Sequence, residues 1–356
     1  MCKVCFFISG FDYSGAEIVL DRYLKENKFV DPYFIIIYDN ENVLDKYINL
    51  YGNKRVFSLR IKHNKNILRF SPWIDINRVY KKSKKIIEKI NPHIIYSNNT
   101  HEMMLLKKLV KNTEIKSIAH IHDMRTSINS PIKRFFMDNS MKTYDEVLTV
   151  SEATKKSWNK DKVKVIYNGV DKEFFIKDDF IDKEISKIGF IGKISKRKGF
   201  DILKDAFEDE FRDKMLYIAY GSYDKEFDED IKSMKEKNNI EFFYQLNENE
   251  VKNFYDSIDL LVVPSRQDPL PTVILEAMAR GCLVIGANTG GIPELIGDRN
   301  LIFEANDVEA LKKKILEIIS LDKASIMKYR KQLYNSCKTK FSHEKKVEFI
   351  NSLMND

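Results

Sequence analysis

Short apolar runs alternate along this chain with stretches whose apolar residues recur every three or four positions. The runs Lys3–Ser9, Tyr33–Tyr38, His93–Tyr96, Ile115–Ile121 and Glu146–Val150 read as strands, most of them separated by helical pattern. In the first of those helices, residues 16, 19, 20, 23 and 24 put Ala, Val, Leu, Tyr and Leu on one face. A charged stretch without apolar period, 172–184, reads as a linker, after which the alternation resumes. Strands are predicted over Ile188–Gly192, Leu216–Tyr220, Ile240–Tyr244, Leu260–Val263 and Leu283–Ile285. Helices are predicted over Thr272–Arg280, Ala310–Ile319, Ile326–Leu333 and His343–Leu353. Strand and helix alternating at this pitch give parallel sheets covered on both faces, an α/β architecture.

A chain of 356 residues divides naturally into two domains, and 43% hydrophobic residues suffice for two cores. The formal charge of +7 suits a phosphorylated ligand or an anionic surface and is too weak to indicate nucleic acid. Cys2 and Cys5 form a Cys-x-x-Cys, but inside an apolar strand-like run, so reduced thiols in a cytoplasmic protein are expected. Met1–Ser9 carries no basic leader, and no apolar run approaches the roughly eighteen residues that span a bilayer. The expectation is a soluble protein able to lie on a membrane.

The chemistry concentrates at strand ends. Between Ser257 and Ile296 a buried strand, a loop with Asp268, Pro269 and Pro271, a helix, a second strand and the turn Gly290-Gly291 follow within about forty residues, and Pro293-Glu294 opens a further short helix. Helix N-termini at the carboxyl ends of parallel strands favour anions, so this stretch reads as a site for a phosphate-bearing ligand. Lys193, Lys196, Arg197 and Lys198 crowd four cations into the turn after Ile188–Gly192; the readings are an anion site or a solvated basic loop. Gly15 and Gly221, each after a strand, are either ligand-approaching turns or plain ones. Asn168-Gly169 ends a strand-like run in a turn tolerant of positive φ, as a hinge would. His120 and His122 fall on one side of a strand end, without a recognisable third zinc ligand. Asp228-Glu229-Asp230 lies in a charged helical segment rather than after an apolar strand, so no metal is required.

Asp268 and Glu276, with seven residues between them, then Ala277-Met278-Ala279-Arg280-Gly281 and Gly290-Gly291-Ile292-Pro293-Glu294, resemble the donor-binding segment of family 4 glycosyltransferases. Lys198-Gly199, Val163–Asp171 and Ser14-Gly15-Ala16-Glu17 also resemble family signatures, with Lys193 where arginine is usual, Asp268 where glutamate is usual and Ser14 replacing a glycine. The resemblance implies two Rossmann-like domains of the GT-B type facing a central cleft: an acceptor-side domain over 1–171, to which a C-terminal helix at about 341–356 returns, a linker over 172–184, and a donor-binding domain over 185–340. It implies a retaining, metal-independent glycosyltransferase using a nucleotide diphosphate sugar, with no further cofactor, in cell-surface polysaccharide or glycolipid assembly. Implied catalytic residues are Asp268, His122 (with His120 as the alternative) and Glu276. Implied donor contacts are Gly15, Lys193, Arg197, Lys198, Gly221, Asp268, Glu276, Gly290, Gly291 and Glu294. An ordinary helix acid is the other reading of Glu276. At the level of function, a nucleotide-sugar epimerase or phosphorylase, or a non-catalytic sugar-binding scaffold, are the alternatives. Expected partners are the donor, a saccharide or lipid-linked saccharide acceptor and, through the basic stretch 60–89 with Phe70, Trp73, Ile74, Ile86 and Ile87, an anionic inner membrane face; nucleic acid is not expected.

Overall fold

The computed structural model describes residues 1–11, 13, 15–62, 72–159, 162–176, 180, 184–207 and 211–355. Ser14, Lys65, Arg69 and Phe70 lie outside the described residues, as does the side chain of Trp73.

Contacts divide the chain into two compact units, Met1–Tyr167 with Lys346–Asp356, and Asn168–Lys345. The first is built on seven parallel strands: β1 (Cys2–Ile8), β2 (Val30–Tyr38), β3 (Val56–Ile61), β4 (Ile94–Ser97), β5 (Lys116–Ile121), β6 (Glu146–Thr149) and β7 (Val163–Val165), ordered β3-β2-β1-β4-β5-β6-β7. Val4 to Ile8 are fully buried because helices cover both faces, which is why β1 reads as an unbroken apolar run. Alternation then sends Cys5 and Phe7 into one core and Val4, Phe6 and Ile8 into the other, where Ile350 and Leu353 of the helix His343–Asn355 join them. Cys2 packs on the core opposite to that of Cys5, so the Cys-x-x-Cys is not a facing pair, and all four cysteines are free.

The second unit holds six parallel strands: β8 (Lys187–Ile191), β9 (Met215–Tyr220), β10 (Ile240–Tyr244), β11 (Leu260–Val263), β12 (Leu283–Ala287) and β13 (Ile302–Phe303), ordered β10-β9-β8-β11-β12-β13. In both sheets the chain turns back at the centre, between β1 and β4 and between β8 and β11. Each is a topological switch point, where a doubly wound sheet opens a crevice beyond its carboxyl edge.

Five local features depart from the sequence reading. Strand β3 went unpredicted because a register shift against β2 and a left-handed Arg60 (φ 46°) interrupt its alternation, and β13 is only two residues long. The helix read as Ile326–Leu333 runs Lys323–Lys340, capped by Asp322. The described residues of the expected linker include packed ones: Phe174 is buried, Phe175 and Phe180 meet the Tyr334 ring edge-on, and the Ile176 N–H donates to Ala279 O. Their apolar residues sit in irregular backbone, so no period announces them. Gly169 is not left-handed; it is needed because a Cβ there would lie 2.5 Å from His343 Cα.

Candidate active site

At the switch point of the second unit, three loops leave the carboxyl ends of β8, β11 and β12 and are bonded to one another. Gly199, left-handed at φ 71°, lets the basic loop pass under the β11 loop; a Cβ there would sit 1.9 Å from Pro264 O. The Arg266 N–H donates to Arg197 O (2.9 Å), and the Arg197 guanidinium donates to Gln267 O (3.3 Å). Arg266 also forks onto both carboxylate oxygens of Asp201 (2.6 and 2.8 Å). On the other side Gly290 (φ 55°) packs so closely that a Cβ would fall 1.9 Å from Asp268 O, and the Gly291 N–H donates to that carbonyl (3.0 Å). These glycines bring loop against loop.

Two of the side chains predicted as donor contacts, Lys198 and Asp268, meet there. Lys198 Nζ donates to Asp268 Oδ2 at 2.6 Å, in a partly buried pair. Glu276, on the helix Thr272–Ala279 and 8% exposed, accepts a hydrogen bond from Tyr255 Oη at 3.0 Å. That carboxylate is therefore held inside the unit, unlike an ordinary solvated helix acid. Lys193 and Lys196 pair with Asp224 and Glu226 at 2.6 and 2.8 Å and remain largely exposed. Glu294 is half-buried on the short helix Ile292–Ile296. Gly221 follows β9 with open space where a Cβ would stand. Asp228 to Asp230 start the helix Asp228–Lys235, where Asp230 binds Lys204. Among the described residues no three His, Cys, Asp or Glu side chains are grouped to hold a metal ion.

In the first unit, His120 is the penultimate residue of β5 and His122 follows the strand, with rings 4.3 Å apart. The hydroxyl of fully buried Tyr96 meets His120 Nδ1 at 2.8 Å. A cavity of about 10 Å³ lies among Asn98, His120, His122 and Lys346. The Nε2 atoms of both histidines and Asn98 Nδ2 are sealed from solvent with no hydrogen-bond partner in the protein. Burial, with the Lys346 charge, pushes His122 down to about 3, so its imidazole is neutral at physiological pH. Gly15 opens the helix Gly15–Glu26 with no atom near its missing Cβ.

Sequence reasoning missed Tyr255, Arg266, Lys346 and Glu102. Glu102 is fully buried at the start of the helix Thr100–Lys111, accepts the Ser9 N–H at 2.5 Å, and is raised by burial to about 8. A glutamate within an apolar helix face was the available signal; for Tyr255 there was none.

Two doubly wound units, one carrying paired cations and carboxylates at its switch point, are the architecture of a two-domain sugar transferase. Residues 47–174 match the model described as Glycosyltransferase Family 4, and residues 171–339 match Glycosyl transferases group 1. The chain belongs to this family and is a glycosyltransferase of the GT-B fold. It is 30% identical over 320 residues to an uncharacterized glycosyltransferase of Methanocaldococcus jannaschii, covering 86% of this chain and 85% of that one. Anabaena HepE, solved with UDP, superposes with a TM-score of 0.80 at 16% identity over 100% of both chains, and its UDP-glucose complex with 0.79. Sucrose-phosphate synthase of Thermosynechococcus elongatus gives a TM-score of 0.79 at 16% identity, covering 100% of this chain and 98% of that one.

Proposed function

We propose that the chain transfers a sugar from a nucleoside diphosphate sugar to an acceptor hydroxyl with retention of anomeric configuration. The observation that carries this reading is the Lys198–Asp268 pair, set between three cross-bonded loops at the switch point of the second unit. An ammonium there is suited to a diphosphate, and Lys193, Arg197 and the helix start at Thr272 add positive potential for the charge that develops as the nucleotide departs. Asp268 would take hydroxyls of the transferred sugar and Glu276 those of the ribose. Gly221, Gly290, Gly291 and Glu294, and Gly15 of the first unit, would be further donor contacts in this reading. His122, as a neutral imidazole of the first unit, would offer a hydrogen bond to the sugar without adding a charge. The acceptor oxygen bonds to the anomeric carbon on the face from which the diphosphate leaves. The anomeric C–O bond to phosphate breaks, and a phosphate oxygen takes the acceptor proton. The HepE complexes with UDP and UDP-glucose favour uridine nucleotides as first probes.

Thermal-shift measurement across nucleoside diphosphates tests the reading: at a hundred times its dissociation constant, a true ligand stabilises by about 2.7 kcal/mol. No shift with any of them overturns it. Turnover is expected to persist in chelator, and product NMR reads the anomeric outcome. The acceptor belongs, in this proposal, to cell-surface polysaccharide or glycolipid assembly.

Peripheral membrane binding is part of the same proposal. Arg78, Lys81, Lys84 and Lys85 are exposed on the helix Pro72–Ile90, and Ile74 is 49% exposed. Ile87, expected as an anchor, is instead buried with Ile76, Val79 and Ile90 in the core, and Ile86 packs against it. The proposed attraction therefore rests on the exposed cations rather than on Ile86 and Ile87. Among the described residues no helix is long and apolar enough to cross a membrane.

A further inference from the structure

Ligands of a doubly wound sheet belong at its carboxyl edge. The first unit also has a concavity at the opposite, amino edge, on the face covered by the helix Pro72–Ile90. Its volume is about 580 Å³. Three cations reach it from separate elements: Lys3 near the start of β1, Lys54 in the turn before β3, and Lys89 in the last turn of the helix. Among the described residues no carboxylate lines it.

Exposed lysines usually form a solvated rim, where salt screens them from one another. Cations near a helix C-terminus also serve its carbonyls, and Lys3 Nζ does donate to Ile90 O at 3.1 Å. Neither account covers Lys54 and Lys89. Both are exposed, and among the described residues neither meets a carboxylate. Lys89 Nζ stands 5.9 Å over the Phe57 ring instead. Arg55, next to Lys54 in the chain, is by contrast tied to Asp31 and to Pro32 O and does not line the cavity. Half-buried Tyr33 and Phe57 line it and pack against the core beneath, and exposed Asn53 adds an amide.

A concavity of several hundred cubic ångströms, with aromatic walls and a few convergent polar groups, has the character of a small-molecule site. Three ammonium groups in it repel one another, and an anion among them turns that repulsion into attraction. Lysines hold phosphate as point charges, while aromatic rings suit the C–H faces of a polyol ring. We propose that this cavity is a second anion site, in which Lys3, Lys54 and Lys89 hold the phosphate of a phosphorylated polyol ring that packs against Tyr33 and Phe57. The ring is that of a sugar phosphate or of an inositol phosphate headgroup, which present the same chemistry. This assignment does not rest on the glycosyltransferase reading, and it gives the first unit a ligand contact outside the candidate active site.

The test uses the full chain carrying Lys198→Ala, so that the candidate donor site does not supply the signal. Glucose 6-phosphate and glucose are titrated by calorimetry. Co-sedimentation compares phosphatidylcholine vesicles bearing phosphatidylinositol phosphate with vesicles bearing phosphatidylserine at matched charge. At least one phosphorylated probe is expected to bind, and Lys54→Gln combined with Lys89→Gln should weaken it by about ten- to a hundredfold. Both lysines are exposed, so UDP binding should be unchanged when the same pair is replaced in the chain that keeps Lys198. Binding of glucose 6-phosphate identifies a free metabolite, and a preference for the phosphoinositide vesicles identifies a headgroup. Either result supports the site when the paired substitution removes it. Failure of both probes, binding indifferent to that substitution, or glucose binding as tightly as its phosphate overturns the site. Equal capture by both kinds of vesicle, without binding of glucose 6-phosphate, makes this a diffuse basic surface and overturns it as well.

Discussion

Lys198 and Asp268 stand 70 residues apart in the chain and 2.6 Å apart in the fold, joining the loop after β8 to the loop after β11. In the proposed function the pair would link the roles of both residues, because a diphosphate drawing Lys198 toward it would also free Asp268 for a sugar hydroxyl. Lys198→Ala is expected to weaken UDP by roughly 10- to 150-fold, the equivalent of about 1.5–3 kcal/mol for a charge-assisted bond, and uridine hardly at all. Asp268→Asn should bind UDP nearly normally and lose turnover with the intact donor. Calorimetry on UDP and uridine separates these outcomes, and equal losses for both ligands would falsify the phosphate role.

Gly290→Ala should damage the site without touching a ligand. The new Cβ would collide with Asp268 O, and alanine is strained at φ 55°. A loss of about 1–3 kcal/mol in stability is expected. UDP-sugar affinity should fall with it, since the displaced loop carries Asp268. A variant with normal melting temperature and affinity would contradict this packing.

Lys346→Met tests what keeps His122 neutral. The Lys346 charge lowers both His120 and His122, but burial is the larger cause for each. Removing the lysine should therefore raise the His122 titration from about 3 while leaving it below the ordinary histidine range near 6.5. Histidine-selective NMR across pH reads the shift directly, and an unchanged titration would remove Lys346 from the account.

Glu102 sets a pH dependence of stability with a defined sign. Its carboxyl titrates near 8 when folded and near 4.5 otherwise, so between those values the folded state holds the extra proton. Its contribution is full below about 4.5 and is lost as pH rises through 8. Glu102→Gln should flatten that decline, melting higher than the unsubstituted chain at pH 8.5 and close to it at pH 5, by calorimetry. His120 and His122 act oppositely: buried neutral, they lose stability as pH falls below the unfolded value of about 6.5.

Vesicle binding should depend on charge. With about 1 kcal/mol for each cation near an anionic leaflet, four engaged side chains would hold the chain there at low salt and release it as salt rises. Replacing Arg78, Lys81, Lys84 and Lys85 with glutamine should abolish co-sedimentation with anionic vesicles. Binding that persists, or that ignores lipid charge, would place the contact elsewhere.

What the sequence made legible follows from burial. Strands covered on both faces, such as β1, β8, β11 and β12, are continuous apolar runs and could be found within a residue or two. Glycines at strand ends marked the site loops, and at Gly199 and Gly290 the structure adds a reason of its own, the approach of one backbone to another. Period failed where backbone was irregular, at Arg60 in β3 and around Phe174. Pairings across the fold had no signal at all: nothing in one dimension links Tyr255 to Glu276 or Lys346 to His122.

The helix His343–Asn355 has a bearing on how the chain is made. Ile350 and Leu353 complete the same apolar layer as Val4, Phe6 and Ile8, so β1 leaves the ribosome well before the side chains that cover it. Folding of the first unit during translation should therefore stall at a state with one sheet face incompletely covered, while the second unit is already able to close. Nascent chains arrested before and after Leu353 has emerged should differ in protease resistance over residues 1–167, which makes synthesis of this helix a checkpoint on a unit begun long before it.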